Sequence, residues 1–136
     1  MTDAEQSNET ARAQGRALRD EVPRSRHGQW TPAPDRPDPV ELIAGQNESR
    51  VQFLVPFRHQ RMSESPFAFY RGGARVMAQD LSTTPVTGLH VQLCGDAHLS
   101  NFGVYGSPER SLVFDLNDFD ETLPGPWEWD VKRLAA

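Results

Sequence analysis

At 136 residues and 15.3 kDa, the chain can enclose one modest hydrophobic core and no second one. A net charge of -5, a pI near 5.3 and the lack of any long apolar run argue against nucleic acid as a partner and against a membrane span. Cys94 is the single cysteine, which excludes an internal disulfide and a paired-cysteine metal site, and the polar N-terminus suits a cytoplasmic protein.

Residues 1–38 read as a polar, largely irregular tail or embracing arm, with at most a weak helix over 10–21. Their arginines, Arg12, Arg16, Arg19, Arg24 and Arg26, read as a solvated face. Asp38 followed by Pro39 opens a short helix that Gly45 should end. A second helix is expected between Arg50 and Met62, started or kinked at Pro56. The apolar run Phe67-Ala68-Phe69-Tyr70 reads as a strand, and Ala74, Met77, Ala78 and Leu81 line one face of the helix after it.

Alternation of Leu89, Val91 and Leu93 predicts a strand that delivers the chain to Gly95-Asp96. Strands over 102–106 and 111–116 follow, joined by Ser107-Pro108-Glu109-Arg110 as a hairpin. Pro124-Gly125-Pro126 reads as a hard turn before an amphipathic helix in which Trp127, Val131 and Leu134 share a side and Trp127 and Trp129 anchor packing. The expected class is α/β, more specifically α+β: a catalytic-loop hairpin with flanking helices.

The chemistry concentrates between Cys94 and Glu121. A hairpin closed by 107–110 would pair residue 106 with 111 and 102 with 115, setting Asn101 beside Asp115 at its open end. Asp96 leads into that same end. Two carboxylates and an amide oxygen make a hard donor set of the kind magnesium takes, and phosphoryl transfer needs that set together with a positioned aspartate. Asp118 and Asp120 compete for the metal role or form an exposed acidic loop. His98 reads as a hydrogen-bonding spacer, and Arg71 either binds phosphate or pairs with an acid such as Asp118. An EF-hand is excluded, because the third and fifth positions from Asp115 are Asn117 and Phe119 and the sixth is no glycine.

G-D-A-H-L-S-N at 95–101, followed by a strand carrying Asp115, resembles the catalytic and metal loops of aminoglycoside and choline kinase-like enzymes. That resemblance implies a partial protein-kinase-like fold, with Asp96 as the catalytic aspartate, His98 in its loop, and Asn101 and Asp115 as Mg²⁺ ligands; beside it, Asp118 stays a further candidate for the metal and Arg71 for the phosphates of ATP. Where those kinases carry a histidine two places before the aspartate, this chain has Cys94.

A closer resemblance is to an uncharacterised bacterial family, domain of unknown function number 2252, carried by S-P-F-A-F-Y-R-G at 65–72, G-D-A-H-L-S-N-F-G at 95–103 and F-D-L-N-D-F-D-E-T-L-P-G-P-W-E-W-D-V-K-R-L at 114–134. It spans about residues 37–136 and implies that 39–136 is the N-terminal part of a kinase-like domain truncated in its last helix. Lys132 is the one lysine and no G-x-G-x-x-G occurs, so the expected product is a phosphotransferase fragment inactive by itself. Its ATP would be held in the complete protein, and its acceptor would be a small molecule or a protein. The alternatives are a metal-dependent hydrolase and a non-catalytic remnant or binding fragment.

Overall fold

The computed structural model describes residues 3–136, so the first two residues of the 1–38 tail lie outside the described part. Among the described residues it is an α+β structure of six α-helices and two separate two-stranded antiparallel sheets. Helix α1 (Asp3–Glu21) is longer than the sequence suggests, in keeping with its content of Ala, Glu, Gln and Arg, all good helix formers. An arm then wraps back: Arg36 pairs with Asp80 at 2.5 Å and lies over Trp30, and His27 meets Trp127 edge-on. Among the described residues, no helix is long and apolar enough to cross a membrane.

Proline and serine punctuation sets the next four helices. Helix α2 (Pro39–Asn47) has Pro39 in its first turn and Asp38 as N-cap, whose carboxylate accepts the Val40 amide at 2.6 Å. It passes Gly45 by two residues. Helix α3 (Val55–Met62) starts beside Pro56 as expected. Residues 67–70 are not a strand, because they lie inside helix α4 (Pro66–Gly72). Four apolar residues cannot by themselves distinguish strand from helix, and here the Ser65 hydroxyl accepts the Ala68 amide at 3.0 Å while Pro66 presets the first turn. Ser65→Ala is therefore expected to lose about 1 kcal/mol in urea unfolding.

Helix α5 (Ala74–Leu81) follows directly, and Ile43, Met62 and Val76 bring α2, α3 and α5 together in one small core. Gly72 lets the Met62 side chain lie directly on the chain here. A Cβ there would stand within 2.6–2.8 Å of the Met62 side chain.

Strand β1 (His90–Leu93) pairs antiparallel with β4 (Leu123–Pro126), from His90 opposite Pro126 to Leu93 opposite Leu123. The sequence reading of 124–126 as a hard turn is corrected by this pairing. Proline's fixed φ lies close to extended backbone and its missing N–H is harmless on an edge. Gly125 lets Leu93, 1% exposed, pack against the strand; a Cβ there would come 2.6 Å from its Cδ1.

The second sheet is the hairpin of β2 (Phe102–Gly106) and β3 (Leu112–Leu116). Its register differs by one from the expected pairing: Gly106 faces Leu112, Phe102 faces Leu116, and Asp115 faces Gly103. Ser107 and Ser111 close the ribbon through a 2.8 Å amide-to-carbonyl bond, leaving a loop of Pro108-Glu109-Arg110 in which Arg110 has φ 62. A three-residue loop with a left-handed last position is a standard hairpin solution, and glycine is its usual occupant. Helix α6 (Glu128–Ala135) then lies across the back of β1 and the loop that follows it.

Candidate functional site

The loop from Cys94 to Asn101 is built by short-range bonds. The His98 amide donates to the Asp96 carbonyl at 2.8 Å, the Asn101 amide donates to the His98 carbonyl at 2.9 Å, and Asn101 Nδ2 donates to the Asp96 carbonyl at 2.8 Å. With Nδ2 engaged, the Asn101 amide oxygen is left for another partner. Gly95 sits at φ 82, which turns the chain out of β1 and aims Asp96 sideways.

Helix α6 holds this loop and the turn before β1 from behind through three side chains that the sequence reading gave no role in the site. Asp130 accepts the amides of Cys94 at 2.7 Å and Gly95 at 3.0 Å. Arg133, 2% exposed, one turn further on, grips Asp96 Oδ1 with Nε at 2.6 Å and Nη2 at 2.5 Å. Nη2 also donates to the Tyr70 carbonyl, the guanidinium lies 4.4 Å from the centre of the Tyr70 ring, and the Tyr70 hydroxyl donates to the Arg133 carbonyl. Glu128 Oε1 accepts the Thr87 amide at 2.7 Å and hydroxyl at 2.6 Å, tying down the turn before β1. The i, i+3 spacing of Asp130 and Arg133 puts them on neighbouring turns of one face, and that spacing was the one available signal for them.

Both guanidinium contacts fall on one oxygen of Asp96, so Oδ2 stays open, 3.5 Å from His98 Nε2. His98 is 3% exposed, packs edge-on to Phe67, and its Nδ1 is buried without a partner. Burial lowers its pKa; Asp96 opposes that shift, and the nearby Arg133 and Arg71 reinforce it, so the imidazole is held neutral near pH 7. Burial pushes the Cys94 thiol up, with help from Asp130, Asp96 and Asp118, so it is no nucleophile.

A cavity of about 1470 Å³ opens in front of the loop, lined by Asp96, His98, Asn101 and Asp118 on one side and by residues of α3, α4 and the segment before α3, Arg71 included, on the other. Asp115 does not line it. That side chain is exposed and accepts its neighbour Leu116's amide at 2.8 Å. The one-residue shift in register explains the difference: Asp115 moves up the ribbon to face Gly103, and the Asn101 carbonyl instead accepts the Asn117 amide at 3.0 Å. Asp118 reaches the cavity because its carbonyl accepts the Cys94 thiol and its Oδ1 accepts the Asp120 amide. Among the described residues, no three His, Cys, Asp or Glu side chains converge as a metal site by themselves.

Glu128 makes the support of this loop sensitive to acid. Burial pushes its carboxyl up, but the bonds from Thr87 and the nearby His27 outweigh that and leave it below the ordinary value. A depressed carboxyl binds fewer protons folded than unfolded, so its stabilisation is complete above the unfolded pKa near 4.5 and is lost as pH falls through the folded one. Urea unfolding should show a gap between the native chain and Glu128→Gln that is full at about pH 7 and narrows toward about pH 3.

No curated protein and no solved structure matches the chain. The sequence model of one bacterial family, described as "Uncharacterized protein conserved in bacteria (DUF2252)", matches residues 50–136, which takes in α3 to α6, both sheets and Arg71, Asp96, His98, Asn101 and Asp118 of the cavity wall. The chain belongs to that family.

Proposed function

We propose that the chain carries the catalytic loop and the Mg²⁺-holding side chains of a kinase-like, ATP-dependent phosphotransferase working in the cytoplasm. The observation that carries this reading is the shared cavity of Asp96, His98, Asn101 and Asp118, with Asp96 gripped on Oδ1 alone. Oδ2 is then the oxygen that accepts or orients the hydrogen of an attacking hydroxyl, and neutral His98 beside it keeps the carboxylate's position.

Magnesium commonly takes one or two protein oxygens and completes its shell with water and substrate phosphates, and the Asn101 amide oxygen with the Asp118 carboxylate fits that mode. When bound, the ion would neutralise charge on the phosphate oxygens. Arg71, on the facing wall, is assigned to the ATP phosphates. Lys132 is committed to Thr84 and the Pro85 carbonyl, away from the cavity, so no lysine of this chain reaches the nucleotide and these residues are expected to be inactive by themselves. The acceptor is a hydroxyl on a small molecule or a protein.

Transfer of labelled phosphate from ATP to a panel of hydroxyl acceptors, measured on the protein as the cell makes it, tests the reading. Asp118→Asn should lower transfer by about 100-fold or more while the unfolding midpoint holds, and Asp96→Asn should lower it as far in protein that still folds, with a lower midpoint because Arg133 stays buried without its counter-charge. Undiminished transfer in either variant overturns the assignment, and metal-dependent hydrolysis to which ATP is irrelevant would identify a hydrolase instead.

A further inference from the structure

The wall facing Asp96 and Asp118 is cationic beyond what Arg71 alone provides. Arg50, Arg58, Arg61 and Arg71 all line the cavity, and among the described residues none of the four is ion-paired with a carboxylate. Glu64 and Asp118 are the carboxylates on the lining besides Asp96, whose charge Arg133 already answers. Arg58 and Arg61 stand about one turn apart on α3. Arg58 Nη2 is fixed by the Gly72 carbonyl at 2.8 Å, whereas Nη1 is buried with no partner at all. Burial and the neighbouring positive charge of Arg50 both act against the Arg58 cation, with Glu121 only partly opposing them. A half-buried guanidinium with an empty donor, repelled by a second arginine, is unfavourable unless an anion joins it.

We infer that Arg58, with Arg71 and Arg61 at its rim, forms a phosphate-binding subsite, so that the cavity takes a phosphate-bearing small molecule by that group. Guanidinium forks match tetrahedral oxyanions, and Arg58 is held in place before the ligand arrives. Which molecule brings the phosphate, the nucleotide or the acceptor, rests on the phosphotransfer reading; the binding itself does not.

The test is calorimetric titration of the full 136-residue chain with inorganic pyrophosphate in chelator, so that no metal contributes. Saturable binding that weakens with salt is expected, and Arg58→Gln and Arg71→Gln should each reduce affinity about tenfold, while Arg75→Gln, exposed on α5 and outside the cavity, leaves it unchanged. Absence of binding, native affinity kept in both Arg58→Gln and Arg71→Gln, or a tenfold loss in Arg75→Gln as well would overturn the subsite. Should Arg58→Gln unfold the chain through its lost bond to Gly72, Arg71→Gln decides, because its exposed side chain makes no hydrogen bond among the described residues.

Displacement of pyrophosphate by ATP assigns the subsite to the nucleotide, and displacement by glucose 6-phosphate but not ATP assigns it to the acceptor. Displacement by neither overturns the claim that a phosphate-bearing small molecule is taken. Pyrophosphate binding by this chain, with no transfer from ATP to any acceptor by the protein as the cell makes it, would sink the phosphotransfer reading and leave the subsite standing.

Discussion

Gly95→Ala is expected to be the most damaging small substitution in the chain, with a loss of about 3 kcal/mol or more in urea unfolding. Two effects add. The φ of 82 is one an L-residue adopts only at a cost of about 1–2 kcal/mol, and the new Cβ would overlap the Glu121 carbonyl oxygen and stand 2.8 Å from its carbon. Both obstacles are backbone, so neither a rotamer change nor a small side-chain shift relieves them. Gly88→Ala separates the terms, because Gly88 has φ 81 and nothing within 4 Å of its added Cβ. It should lose only about 1–2 kcal/mol. Equal losses at the two positions would show that the contact with Glu121 is not close.

Arg133→Met should follow at about 3 kcal/mol, near the lower end for breaking a buried ion pair, since Asp96 keeps 18% side-chain exposure and some water. The loss combines the unanswered Asp96 carboxylate, the Tyr70 carbonyl left without its donor and the stacking on the Tyr70 ring. Asp96→Asn in the same background tests the mechanism. If the pair is the dominant effect, the double variant will be markedly less damaged than the sum of the single ones, because removing both charges leaves no unpaired one. Strict additivity would mean that Arg133 acts through packing alone.

Elements whose signals are local could be read from the sequence. Asp38-Pro39 opens α2, Pro56 opens α3, the i, i+3, i+4, i+7 face marks α5, and turn residues 107–110 announce the hairpin. Misreadings arose where two local signals competed or where a tertiary partner decided. Phe67–Tyr70 has strand-like composition, but Ser65-Pro66 directly before it caps and starts a helix, and that signal overrules the aromatic run. Residues 123–126 become a strand only because β1 lies beside them, which a proline-rich tetrapeptide cannot advertise.

The candidate site was legible to the same depth. The hairpin and its proximity to Asp96 follow from the turn, yet the register depends on Arg110 taking a left-handed conformation that a non-glycine residue does not signal. One residue of slip is enough to carry Asp115 away from Asn101 and to leave Asp118, not Asp115, on the cavity wall. Asp130 and Arg133 look like ordinary surface charges of an amphipathic helix until the fold lays that helix against the Cys94–Asp96 backbone.

The central claim is that Asn101 and Asp118, which share the cavity with Asp96, hold a divalent ion together with phosphate. Electron paramagnetic resonance of Mn²⁺ with a non-hydrolysable ATP analogue measures that directly, comparing the native chain with Asp118→Asn and Asp115→Asn. Bound Mn²⁺ that is lost in Asp118→Asn and kept in Asp115→Asn is the predicted result. No bound Mn²⁺, or loss confined to Asp115→Asn, would contradict it.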